Sequence, residues 1–164
     1  MKRLFLLVSF FLLLSVNAST LRGGVSEEYI PDGFFGSWGV ISKLKSSNNL
    51  KMFNYQSKDI WTLSGHGNLL VLQNLESGAR SEFWIDEKTN DCKTLKFKRE
   101  KKVDQLDATK VLYKEIVQFK LNGNNFSGTD KFIVEKYNKN NQLIKKDEAL
   151  YNVEGVKISG TTPK

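Results

Sequence analysis

From residue 34 onward, apolar and polar residues alternate with a period near two, in short runs broken by clusters of turn formers. The runs predict eight strands, at about 37–45, 58–64, 68–73, 79–86, 93–102, 110–121, 125–137 and 147–158. Between them lie Ser46-Ser47-Asn48-Asn49, Gly65-His66-Gly67, Asn122-Gly123-Asn124 and the polar stretch 138–141. Helical spacing is weak everywhere; only 103–110, around Leu106 and Ala108, has the pattern for one helical turn. Numerous short strands joined by tight turns predict an all-β chain, a single antiparallel up-and-down β-barrel of about eight strands. A β-sandwich is the alternative, because it produces the same alternation.

The hairpin 110–137 is the most sharply defined. Asn-Gly is the strongest short hairpin signal, and a two-residue loop at Asn122-Gly123 pairs residues whose numbers sum to 245. Phe119 then faces Phe126 and Tyr113 faces Phe132 on one apolar side, while Lys114, Gln118, Lys120, Lys131 and Glu135 occupy the other. The same register sets Glu115 opposite Asp130 on the apolar side, where two carboxylates repel and burial raises the pKa of at least one. As a functional pair they would anchor a cation or ligand hydroxyls inside a cavity. A loop spanning 122–125, with pairs summing to 247, would remove the direct opposition.

A second hairpin, 58–73, is apolar on both faces. A three-residue loop Gly65-His66-Gly67 pairs Trp61 with Val71 and Leu63 with Leu69 and turns Ile60, Leu70 and Leu72 to the opposite side. That second face is either covered by the segment 19–35 or is a patch for an envelope protein or for self-association.

The amino terminus changes how composition is counted. Lys2 and Arg3 precede the apolar run 4–14, and Val16-Asn17-Ala18 supplies a small-residue cleavage pattern. The layout predicts a signal peptide over residues 1–18, export to the periplasm or beyond, and no transmembrane span in the mature chain. Loss of Lys2 and Arg3 takes the net charge of the 164-residue chain from +7 to +5. The remaining excess is interspersed with acids, which argues against a nucleic-acid partner. Residues 19–33 read as a flexible lead, 34–160 as the barrel domain and 161–164 as a tail. Cys92 is the only cysteine, so no internal disulfide forms.

Catalytic patterns are sparse. His66 is the only histidine and lies in a hairpin tip; no Cys/His cluster suits zinc, no glycine-rich loop precedes a helix, and no serine occupies a strand–helix elbow. Neither an enzyme nor a metal or other cofactor is expected. Lys96, Lys98, Arg99, Lys101 and Lys102 form a basic run that reads as a solvated strand face protecting a sheet edge.

Gly36-Ser37-Trp38 opens the first strand after an irregular lead. This resembles the G-x-W signature at the start of lipocalin-like (calycin) barrels, as do the chain length and the meander. The resemblance implies that Trp38 closes the barrel floor and that the interior holds a small apolar or amphipathic ligand. Trp38, Tyr113, Glu115, Phe119, Phe126, Asp130 and Phe132 are the expected ligand-binding residues. The competing expectation is a cell-envelope interaction module acting through Ile60, Leu70 and Leu72.

Overall fold

The computed structural model describes residues 30–85 and 93–160. The expected signal peptide over 1–18, the expected lead as far as residue 29, Cys92 and the expected tail 161–164 lie outside the described residues. The strands are β1 (Gly36–Ser47), β2 (Gln56–His66), β3 (Leu69–Asn74), β4 (Arg80–Trp84), β5 (Thr94–Asp104), β6 (Lys110–Asn122), β7 (Asn125–Tyr137) and β8 (Leu143–Ser159). They form one sheet in the order β4-β3-β2-β1-β8-β7-β6-β5, and every neighbouring pair is antiparallel. Pairing of the first strand with the last curls the sheet until β4 and β5 approach each other, giving a nearly closed up-and-down barrel.

In β6–β7 the alternative register forms instead of the first, and in β2–β3 the expected register is corrected. In β6–β7 the pairs sum to 247, so that Asn122 faces Asn125, Phe119 faces Gly128 and Glu115 faces Phe132. The loop is Gly123-Asn124, with Gly123 at φ +58° in the first central position, where a II′-type hairpin turn needs glycine. The expected loop began one residue too early. In β2–β3 the loop is Gly67-Asn68, again with glycine first at φ +60°, and Leu63 pairs with Leu72. This shift is three residues, an odd number, and it reverses which side Leu70 and Leu72 face relative to Trp61 and Leu63. Residues 103–110 hold no helix: β5 runs to Asp104 and a tight turn with Ala108 at φ 59° leads into β6. β8 starts four residues before the expected boundary because β7 continues to Tyr137, which pairs with Leu143.

Antiparallel order brings the starts of β1, β3, β5 and β7 and the ends of the even-numbered strands to one end of the barrel. That end is closed by an apolar plug. A single 3-10 turn (Asp32–Phe34) enters it, and Trp38 donates its indole Nε1–H to the Phe34 carbonyl at 2.8 Å. Phe126 lies edge-on to Trp38 at 4.9 Å between centroids and stacks on Phe119 at 4.9 Å. The Lys157 ammonium, from the last strand, sits 4.8 Å above the Trp38 ring and donates to the Gly33 carbonyl at 2.7 Å. Ile30 and Gly33 are buried here, so the packed body begins before Phe34. Gly155 faces Phe126 so closely that any Cβ would overlap the ring.

The plug therefore fixes both the entry of β1 and the exit of β8. Trp38→Ala is expected to cost about 3–5 kcal/mol, as large aromatic deletions in cores do. Gly155→Ala should cost about 1–3 kcal/mol through overpacking against Phe126. Denaturant unfolding midpoints of the two variants check both values; a Gly155→Ala protein as stable as the parent would show that Phe126 is free to move.

Candidate functional site

Towards the middle of the barrel the inward positions change from apolar to polar. The register of two carries Leu95 and Phe97 on to Arg99 in β5, Phe119 and Val117 on to Glu115 in β6, Leu63 and Trp61 on to Asp59 and Ser57 in β2, and Trp38 and Val40 on to Ser42 in β1. Asp130 and Phe132 enter from β7 and Tyr151 from β8. These side chains line a partly open cavity of about 60 Å³ whose remaining wall is apolar.

Arg99 organises the polar layer. Its guanidinium meets the Glu115 carboxylate at 2.6 Å, donates to Ser81 Oγ of β4 at 2.9 Å and lies 5.0 Å above the Phe83 ring. Phe83 in turn packs on Phe97 of β5 at 4.6 Å. Side chains thus close the seam between β4 and β5, which are the two ends of the hydrogen-bonded sheet.

Glu115 and Asp130 are 9% and 6% exposed, one diagonal step apart across β6 and β7. Burial pushes the Glu115 carboxyl above its ordinary value, and the Arg99 charge works against that rise. Burial, and next the Glu115 charge, push Asp130 well above the usual carboxylate range. Two carboxyls this close are best satisfied by sharing one proton. Asp130 Oδ1 has no hydrogen-bond partner among the described residues, and neither has Asp59 Oδ2. The other Asp59 oxygen, Oδ1, accepts from Asn74 Nδ2 at 2.9 Å. Burial, and next the Asp130 charge, push the Tyr151 hydroxyl up to about 12. It stays protonated and donates to the Asn54 carbonyl at 3.0 Å. Tyr151 thereby ties the β1–β2 loop to β8 at the end opposite the plug, where Asn49 Nδ2 also donates to Asp147 at 3.0 Å.

Of the expected ligand-binding residues, Glu115, Phe119, Asp130 and Phe132 line the cavity together. Trp38 and Phe126 belong to the plug instead, and Tyr113 is half-buried beside the core without lining the cavity. The expected surface patch does not form: Leu70 and Leu72 are 0% and 7% exposed, inside the barrel, because of the three-residue shift in β2–β3. Ile60 stays on the outer side of β2 and is half-buried. His66 is exposed at the end of β2. Arg99, Asp59 and Tyr151 were absent from the expected set. Each has a signal in the sequence, since each keeps the parity of neighbours that face inward: Leu95 and Phe97, Trp61 and Leu63, Ala149 and Val153.

No protein-family model matches the chain, and no curated protein matches it. No helix among the described residues is long and apolar enough to cross a membrane.

Both carboxyls of the pair bind protons more tightly in the folded than in the unfolded chain. Their contribution to stability is complete below the unfolded values, near pH 4, and is lost as pH rises through the folded values. Asp130→Asn removes one of the two charges that ionisation would bury. The variant should gain on the parent between pH 4 and 8, by on the order of 1 kcal/mol for each pH unit of upward displacement. Urea midpoints of the two proteins across that range check it; parallel pH profiles would contradict the shared proton. Arg99→Met should cost about 3 kcal/mol by leaving Glu115 buried without its partner, and Glu115→Gln in the same chain should restore part of the loss.

Proposed function

We propose that this chain is an exported, non-enzymatic, lipocalin-like β-barrel that binds a small amphipathic molecule in its interior. One observation carries the reading: the barrel is not filled. A cavity of about 60 Å³ persists between the plug and the polar layer, and two carboxylate oxygens on its lining, Asp130 Oδ1 and Asp59 Oδ2, have no hydrogen-bond partner among the described residues. An interior evolved only for stability would fill such a space or satisfy those oxygens, because a buried polar atom left unpaired costs about 1–3 kcal/mol. Binding pockets combine this kind of apolar wall with a few convergent polar groups.

The mode of closure supports the same reading. Trp38 lies at the closed end, as the G-x-W resemblance implies, and its ring is covered by a cation from the last strand, Lys157. Lys2, Arg3, the apolar run 4–14 and Val16-Asn17-Ala18 support export. The volume admits about four to six non-hydrogen atoms at about 10–15 Å³ for each water-sized position, so the ligand, or the part of it held inside, is small.

Native mass spectrometry of the protein purified from its own host tests the reading. The expected spectrum shows a monomer carrying a small co-purifying molecule, which is lost from the Phe119→Trp variant as the added ring fills the cavity. A defined oligomer with no bound molecule would favour an envelope-interaction module instead.

A further inference from the structure

We infer that the interior site is built for a small organic monocation, an ammonium group on a short apolar body, with Asp130 and Asp59 as its acceptors. The inference rests on the binding reading above and adds the chemistry of the ligand. It follows first from which hydrogen-bonding groups are left over. Two donors around the cavity are directed at the protein itself: the Arg99 guanidinium at Glu115 and Ser81, and the Tyr151 hydroxyl at the Asn54 carbonyl. Among the described residues Asp130 Oδ1 and Asp59 Oδ2 are buried carboxyl oxygens without a hydrogen bond, and with the shared proton held between Asp130 and Glu115 both remain acceptors. Asp130 is 94% buried (6% exposed) and lines the cavity, so a ligand that completes it has to bring the proton donor inside.

The charge balance gives the same answer. Three carboxyl groups and one guanidinium line the cavity. If Glu115 and Asp130 share one proton, the pair carries a single negative charge, which Arg99 balances. Asp59 adds a further acidic group to the lining with no second basic group beside it there, and one unit of positive charge on the ligand complements the site. Buried charges persist when they are paired. Among the described residues no three His, Cys, Asp or Glu side chains converge to hold a metal ion, and the aromatic lining suits an organic cation. The walls suit it: Trp61, Phe83, Phe97 and Phe119 present aromatic surface around the acidic layer, favourable both to a cation and to a short hydrocarbon. The volume limits the body to about three to five carbons beside the nitrogen.

Calorimetric titration of the purified, dialysed protein with n-butylammonium, 1-butanol and butyrate separates the alternatives, because the three probes share a carbon skeleton and differ in charge. The expected result is saturable binding of n-butylammonium, with 1-butanol at least about ten-fold weaker and butyrate undetected. Asp130→Asn and, separately, Asp59→Asn should each lower the ammonium affinity by about ten-fold or more and leave the 1-butanol affinity unchanged. Far-ultraviolet circular dichroism establishes that each variant is folded. Equal binding of n-butylammonium and 1-butanol, or ammonium binding insensitive to both substitutions, would overturn the cationic specificity and leave the binding-barrel reading standing. Failure of all three probes would overturn the cationic inference, and the co-purification experiment would then decide the broader reading independently.

Discussion

The interior depends on one side chain. Arg99 reaches from β5 across the open seam to Ser81 and Phe83 of β4 and, on its other side, neutralises Glu115 of β6. The sheet has two end strands, β4 and β5, and among the described residues no ladder pairs them. An exposed pair of strand edges invites association with other chains. Here a guanidinium and a pair of phenylalanines hold the edges together. The same guanidinium makes it tolerable to bury two carboxyls a diagonal step apart, since without it both charges would have to be protonated or hydrated. Closure of the barrel and the chemistry of its interior are therefore coupled through one residue.

The rest of the barrel divides labour along its axis. At one end Trp38, Phe34, Phe126 and Phe119 form a dry plug, tied by the Trp38 indole to the turn before β1 and by Lys157 to the end of β8. This end provides the hydrophobic stabilisation that a domain without internal disulfides needs. At the other end the β1–β2 loop is held to β8 through Tyr151 and Asp147. Between the two lies the polar layer, where stability is given up: unpaired carboxylate oxygens and an unfilled volume are both costly. Such costs concentrated at one place, in a structure otherwise well packed, are the observation on which the proposed binding site rests.

Much of this architecture was legible in the chain, and the physical reason is the period of two. Alternation identified all eight strands and the up-and-down meander, and it placed Glu115, Phe119, Asp130 and Phe132 on one face. Strand parity survives a register error of two residues, which is why those four still meet although the β6–β7 pairs sum to 247 instead of 245. It does not survive an error of three. In β2–β3 the turn was placed on Gly65-His66-Gly67 when the glycine that adopts positive φ in the loop is Gly67, and an expected surface patch became core. Arg99 is masked in the sequence for a different reason. It sits within a run of lysines that reads as one basic surface, although its parity with Leu95 and Phe97 turns it inward while Lys98 stays exposed. What alternation alone does not encode is which strands meet at the seam, because that follows from β1 pairing with β8.

The claim that joins fold and site is that Glu115 and Asp130 form a buried, proton-sharing pair held by Arg99. Carboxyl carbon-13 NMR titration of the folded protein observes it directly. The account expects the Asp130 carboxyl to titrate well above the ordinary range near 4, with Glu115 displaced upward as well and the two responses coupled. Two independent titrations near pH 4 would mean that water reaches both groups, and the enclosed acidic site described here would not exist.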